Sequence, residues 1–467
     1  MTDVQLKAKI KEFIAENQRN IVEDITKLVS FKSILGEAQE GAPFGIENKR
    51  ALDEAVKISQ RLGLFATSCE GYIGYAEVKG ESEEYIASIA HLDVVPEGNG
   101  WKADPFTVRE TEGWLIGRGV CDDKGPAVLT LYLLKFFKDN YPTLPYTLRA
   151  ILGSEEETGM RDVDYYLKNY TAPVFTFSPD ANFPVCCGEK GIASFDLKSE
   201  KISGGNVLEF TAGVASNVIP DRAFMKIKSD KNLPKAEGIE ISVEKGVAEI
   251  RAFGIGGHAA MPEGTKNAIG MLVAYCLENE LLTQAEKEYF LLLQDLFATN
   301  YGEGLGISAS DEVFTTPLTC IGGTMKIEEG KFVQNINIRY PTTITGEKIQ
   351  EILAQRMEKI GGSLVTMMYK EPFYVDKNSA PIQALLKAYN DATGKNEQAY
   401  TIGGGTYARR FPSAAAFGIE PCMSEKDFFP SFIGGVHGAE EGYSIDGFMK
   451  ALEILILAVD KLMQIEF

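Results

Sequence analysis

Histidine is almost absent: the 467 residues hold three, His91, His258 and His437. Basic residues are also scarce, with 47 Lys and Arg against 66 Asp and Glu, a formal net charge of −19. A chain this acidic lacks the positive footprint that nucleic acid or an anionic membrane surface requires, so neither is expected as a partner. The seven cysteines (Cys69, Cys121, Cys186, Cys187, Cys276, Cys320 and Cys422) are an odd, scattered set with no C-x-x-C pair. A disulfide framework or cysteine zinc site is therefore not expected, and a reducing compartment fits better. Long hydrophobic runs are missing too. The first 31 residues, MTDVQLKAKIKEFIAENQRNIVEDITKLVSF, carry charges throughout, unlike a signal peptide. The longest late apolar run, ALEILILAV, is too short to span a bilayer. These features predict a cytoplasmic protein without a membrane partner.

What is present is ordinary for a globular protein: 45% hydrophobic and 24% charged residues. The length exceeds what one core supports, which predicts two domains or one with a large insertion. Leu6, Ile10, Phe13, Ile14, Ile21, Ile25 and Leu28 recur at helical spacing. Strand-like YIASIAHLDVV, YTLRAILGS and PVFTFSPDA alternate with helix-like PAVLTLYLLKFFKDNY, the order of an α/β layer with a mostly parallel sheet. After GEKG the segments become shorter and alternating, and helical texture returns at APIQALLKAYNDATG. The predicted architecture is a discontinuous α/β domain, residues 1–190 and 375–467, with an α+β domain inserted at 191–374.

Each of the three strands ends in a polar cluster, where ligands of such sheets bind. His91 and Asp93 share a strand face, so the carboxylate could orient the ring as it does for metal-ligand histidines. Taken alone, H-x-D is better explained by a hydrogen-bonded strand-end histidine. In GRGVCDDKGP, Asp122 and Asp123 precede a helix and read either as capping acids or as one carboxylate turned inward to a metal. In GSEEETGM, Ser154 and Glu157 fit a capping box. The same three glutamates at a strand end also crowd negative charge that a cation would relieve, one serving as ligand and its neighbour as base. Asp180 in FSPDA and His437 in GGVHGAEEGYS complete the set. If His91, Asp122, Glu157, Asp180 and His437 converge, three anionic ligands and a fourth carboxylate need two divalent cations for balance. Mixed N/O ligands without thiolate suit zinc, manganese or cobalt.

The ordered set HLD, GRGVCDDKG, EEE, SPDA and HG resembles the di-metal peptidase family of carnosinases, aminoacylases, glutamate carboxypeptidase and succinyl-diaminopimelate desuccinylase, and within it PepV-like bacterial dipeptidases. Further matches, LVSFKSI, GEKG, NVIPDRA, GGHAAMPEGTKNAI, NIRYP and GGGTYAR, extend the resemblance over essentially the whole chain. It implies that His91 and Asp180 bind one metal, Glu157 and His437 the other, and that Asp122 bridges them, with a cis peptide after it. It further implies Asp93 as the orienter of His91 and Glu156 as general base on the metal-bridging water. In the inserted lid, Asn217 and His258 would stabilise the oxyanion and Arg339 would bind the substrate carboxylate. Gly403, Gly404, Gly405 and Thr406 would line the substrate backbone.

The expected cofactors are two divalent ions, zinc first, with manganese or cobalt as alternatives, and the expected substrate is an unblocked dipeptide or short peptide. A lid long enough to supply His258 within one chain predicts a monomer. Two rivals stand beside this: deacylation or desuccinylation of an N-acyl amino acid at the same site, and a non-catalytic peptide-binding protein on the same scaffold. Cys121 reads as a small packed residue; Cys186 and Cys187 receive no role.

Overall fold

The computed structural model describes residues 2–420 and 429–467. The chain divides into two compact units, Met1–Cys187 with Val375–Tyr400 and Gly405–Phe467, and Gly188–Tyr374 with Thr401–Gly404. The Gly403–Thr406 stretch is split by that division.

In the first unit, neighbouring strands run Phe65–Cys69, Ile73–Val78, Tyr146–Gly153, Ser82–His91, Phe175–Ser178 and Ala414–Ala416. The last four are parallel to one another, and the outer pairs are antiparallel. This is the expected mostly parallel α/β sheet. Ser82–His91 has parallel neighbours on both sides and is buried from Tyr85 to His91. Burial on both faces explains why YIASIA is continuously apolar and small instead of alternating.

The helix Asp3–Val29 starts at a Thr2–Gln5 capping box and buries Leu6, Ile10, Phe13, Ile21, Ile25 and Leu28, the face read from the sequence. The helix Lys124–Asn140 is buried without a break from Lys124 to Leu134. The run ALEILILAV lies in the helix Ile445–Leu462, with Leu452, Leu455, Ile456 and Val459 wholly buried in the core. No described helix is long and apolar enough to cross a membrane.

Strand register then brings the polar ends together. His91 pairs with Gly153, so Glu155, Glu156 and Glu157 leave the sheet beside it. Ser88 pairs with Phe177, and continuing that register brings Asp180 level with His91.

The second unit has an antiparallel sheet ordered Ile239–Glu244, Val247–Phe253, Arg222–Lys228, Val207–Ala212, Thr319–Glu328, Lys331–Tyr340, Gly191–Lys198 and Ser363–Lys370. Its core joins inward residues of this sheet to the helices Ala268–Glu278, Gln284–Phe297 and Gly346–Lys359. The six described cysteines are buried; Cys422 lies outside the described residues.

Candidate metal centre

Five separated side chains of the first unit meet around one carboxylate. His91 Nε2 lies 2.8 Å from Asp122 Oδ1, and His437 Nε2 lies 2.9 Å from Asp122 Oδ2. Asp180 Oδ2 is 3.8 Å from His91 Nε2. Glu157 Oε1 is 3.1 Å from His437 Nε2. Two sets of donors each lie within 4.8 Å of one another: His91, Asp122 and Glu157, and His91, Glu156 and Asp180. Glu156 thus stands beside the His91 half of the cluster.

The Asp93 contact differs in detail from the one anticipated. Its backbone carbonyl is the nearer partner of His91 Nδ1, at 3.0 Å, and its carboxylate Oδ1 is 3.4 Å away. The carboxylate accepts instead from the backbone N–H groups of Glu156 and Glu157, at 3.0 and 3.1 Å. Asp93 therefore fixes the ring and the acidic loop together.

Neither capping alternative is realised. Asp123 occupies the N-cap of the helix Lys124–Asn140 without a side-chain cap bond; its Oδ2 accepts the His91 N–H at 2.9 Å. The peptide between Asp122 and Asp123 is cis. Ser154 Oγ has no hydrogen-bond partner among the described residues, and the next helix begins only at Arg161. The third glutamate, Glu155, is buried and serves that helix start, accepting the Arg161 N–H at 2.8 Å.

The electrostatics follow from packing acids out of water. Burial, then the charges of Glu157, Asp93 and Asp122, push the Glu156 carboxyl well above its ordinary range. Burial, then Asp122 and Asp123, do the same to Asp180. Glu157 is raised by burial and by Asp122. Burial opposes charge on the two rings as well, yet hydrogen bonds to Asp122 and Asp93 hold His91 well above its usual value. Hydrogen bonds to Asp122 and Glu157 likewise push His437 up to about 11. Burial would raise Asp122 too, but its bonds from His437 and His91 prevail and lower it. The cluster therefore draws positive charge inward, from protons or from cations. Its donors are imidazole nitrogens and carboxylate oxygens, a set that fits a borderline divalent metal. Cys121, next to Asp122, belongs to the hydrophobic core, and burial pushes its thiol well up.

In the second unit the remaining candidates form a separate group. Val218 pairs with His258, and the Ala259 N–H donates to Asn217 O at 2.9 Å, so Asn217 and His258 are neighbours. His258 Nδ1 accepts the Ala260 N–H at 3.2 Å, which makes Nε2 the proton-bearing nitrogen of the neutral ring. Arg339 donates from Nε to Asn337 Oδ1 at 3.0 Å and from Nη1 to Gly403 O at 3.1 Å. A Cβ on Gly403 would come within 2.8 Å of Ala260 Cβ, so this approach needs glycine. Gly404 also belongs to the second unit, whereas Gly405 and Thr406 belong to the first, where Thr406 Oγ1 accepts the Ala408 N–H.

Several residues escaped the sequence reading. Tyr407 and Asp162 share a short hydrogen bond, and Asp162 Oδ2 accepts the N–H groups of Ser154 and Glu155 at 2.7 and 3.1 Å. Glu441 and Arg118 form a buried pair beside Asp122. The only sequence trace of that pair was the doubled acid in HGAEEG and the arginine in GRG.

A family model described as peptidase family M20/M25/M40 matches residues 87–461. The Bacillus subtilis (strain 168) protein named “Putative dipeptidase YtjP” is 29% identical over 469 residues, covering 96% of this chain and 98% of its own. “Putative dipeptidase SAB1611c” of Staphylococcus aureus (strain bovine RF122 / ET3-1) is 30% identical over 429 residues, 87% of this chain and 91% of its own. Among solved structures, human carnosine dipeptidase 1 is similar with a TM-score of 0.60 at 13% identity, over 98% of this chain and 100% of that one. The di-peptidase Dug1p of Saccharomyces cerevisiae has a TM-score of 0.60 at 15% identity, over 98% and 99%. At these identities the two structures bear on the fold alone.

Proposed function

The chain belongs to peptidase family M20/M25/M40 and is a peptidase, and from that premise we propose that it is a PepV-like dipeptidase, cleaving unblocked dipeptides with two divalent cations. The observation that carries this reading is the pair of contacts made by Asp122, one oxygen toward each imidazole. His91 and Asp180 would hold one cation, Glu157 and His437 the other, and Asp122 both. Zinc suits this mixed set first, with manganese or cobalt able to replace it. Bound there, the cations would polarise the scissile carbonyl and acidify a water molecule.

The other roles belong to the chain itself. Glu156, held by its own N–H on Asp93, takes a proton from the attacking water and delivers it to the leaving amine. Asn217 and the Nε2–H of His258 stabilise the developing oxyanion. Arg339, aimed by Asn337 and Gly403, pairs with the substrate carboxylate, and Gly403, Gly404, Gly405 and Thr406 line the substrate backbone. The inserted segment, residues 191–374, acts as the lid. Because its length suffices to supply His258 within one chain, the working unit is a monomer. The odd, scattered set of seven cysteines with no C-x-x-C pair suits a reducing cytoplasm.

The test is an assay of zinc-loaded protein on unblocked dipeptides and on N-acetyl and N-succinyl amino acids, with chelated protein as blank. The expected result is turnover of the dipeptides alone, lost on chelation. Preference for the blocked substrates would replace the reading with a deacylase. Binding of peptides without turnover would leave only a binding protein.

A further inference from the structure

Glu441 and Arg118 have no part in the reaction as described, yet both are buried to 1% exposure next to the centre. Glu441 Oε1 accepts three backbone N–H groups, those of Gly119, Cys121 and Asp122, at 3.0, 3.1 and 3.3 Å. Its Oε2 pairs with Arg118 Nη1. Arg118 Nη2 in turn donates to His437 O at 3.1 Å and to Glu97 O at 3.3 Å. The guanidinium lies 5.4 Å from the ring centre of Trp101, so its face is covered as well. The main chain repeats the tie, with the Gly117 N–H donating to Glu441 O at 2.9 Å and Gly442 pairing with Ile116.

One carboxylate therefore holds the turn that ends at Asp122, and its partner guanidinium holds the loop at His437. A buried ion pair adds little net stability over a well-packed apolar pair. What this pair does add is a fixed distance between two loops. His437 needs it, because it lies outside any helix or strand and at φ +63°. His91 does not, because its strand is paired on both sides.

We propose that Glu441 and Arg118 are positioning residues for the cation on the His437 side, fixing the Asp122 carboxylate against the His437 ring. This rests on the reading that Asp122, Glu157 and His437 share a cation. The outer partners of metal ligands typically change affinity by about 10- to 100-fold when removed. Losing the pair should therefore weaken one cation position and spare the other.

The experiment is calorimetric titration of metal-free protein with zinc, with circular dichroism to confirm folding. Wild-type protein should take two ions. Glu441→Gln keeps the side-chain shape but turns an amide donor toward the backbone N–H groups or toward Arg118. It should bind one ion as wild type does and the other about 10- to 100-fold more weakly. Arg118→Lys, which keeps charge but loses the fork, should act in the same direction, and it carries the test if Glu441→Gln does not fold. Glu440→Gln is the control. It removes the neighbouring carboxylate, which binds Arg109 Nη2 and the Lys102 N–H, each at 2.8 Å, and should leave both affinities unchanged. The proposal is overturned if the folded Glu441 or Arg118 variant binds both ions like wild type, or if Glu440→Gln shows the same loss. Wild-type protein that takes up no ion would instead overturn the metal reading itself.

Discussion

His91 and His437 face the two oxygens of one carboxylate, but the chain brings them there by different means. The His91 side chain is 1% exposed and ends a strand with parallel neighbours on both sides. The His437 side chain is 52% exposed and sits in a glycine-rich loop. On the first side the ladder of backbone hydrogen bonds sets the geometry, so Asp180 and Glu156 arrive through strand register. On the second side geometry depends on side chains reaching between loops. A sheet supplies one half of the centre as a by-product of folding; the other half must be held by dedicated contacts.

The largest expected effect tests whether Glu156 belongs to the first half as base or as ligand. It shares the 4.8 Å donor set with His91 and Asp180, so proximity alone permits either. As a base, Glu156→Ala should lower turnover by about 10²- to 10⁴-fold, with zinc content still near two per chain by elemental analysis. A variant that loses one zinc would move Glu156 into the ligand set. A variant that stays active would remove it from both roles.

A second contrast is His91→Ala against His437→Ala. Removing His91 strips a buried partner from Asp122 and should cost about 3–5 kcal/mol along with the ion proposed for its side, since Asp180 and Glu156 stand around that ring. Removing the half-exposed His437 should cost less than that, and one ion. Thermal unfolding of the metal-free variants, with metal content measured in parallel, checks both. Equal losses of stability would erase the distinction between a sheet-built and a loop-built half.

The same distinction explains what could be read in advance. His91, Asp122, Glu157 and Asp180 stand where apolar strands stop or a buried helix starts, and period and polarity mark those places directly. His437, in the glycine-rich loop GGVHGAEEGYS, carries no such mark and is unremarkable taken singly. Glu441 was invisible for a sharper reason: its partners Arg118 and the 119–122 turn lie more than 300 residues away in sequence, and no local spacing encodes that pairing. Local patterns also misled. The S-x-x-E at Ser154–Glu157 has the form of a capping box, but Asp93 takes the N–H groups of Glu156 and Glu157, and the glutamates turn toward the imidazoles instead. Tertiary charge pairing prevailed over a local preference worth about 1 kcal/mol.

The smallest effect is one of pH, and its sign distinguishes protons from cations as the charges that balance the cluster. Burial and neighbouring acids raise Glu156, Glu157 and Asp180, while acids bonded to the rings raise His91 and His437, the latter to about 11. A group with a raised folded pKa binds its proton more tightly folded than unfolded. Its contribution to stability is complete below the unfolded pKa and disappears as pH climbs through the folded one. For His437 that window runs from its ordinary 6.5 to about 11. Asp122, lowered by the same rings, acts only below the ordinary carboxylate range and does not enter this window. The cluster's share of metal-free stability should therefore fall as pH rises from about 6.5 toward 9, by a degree or two in melting temperature per pH unit for each proton involved, against an opposite drift from Lys124 and Lys190, which burial lowers to about 7 and about 8. With zinc present the slope should flatten or reverse, because cations replace protons that rising pH removes, and metal affinity itself increases with pH. His437→Ala should remove part of the metal-free slope, leaving the part due to the His91 side. Parallel melting curves for metal-free and zinc-loaded protein across this range would mean that the cluster balances its charge in some other way.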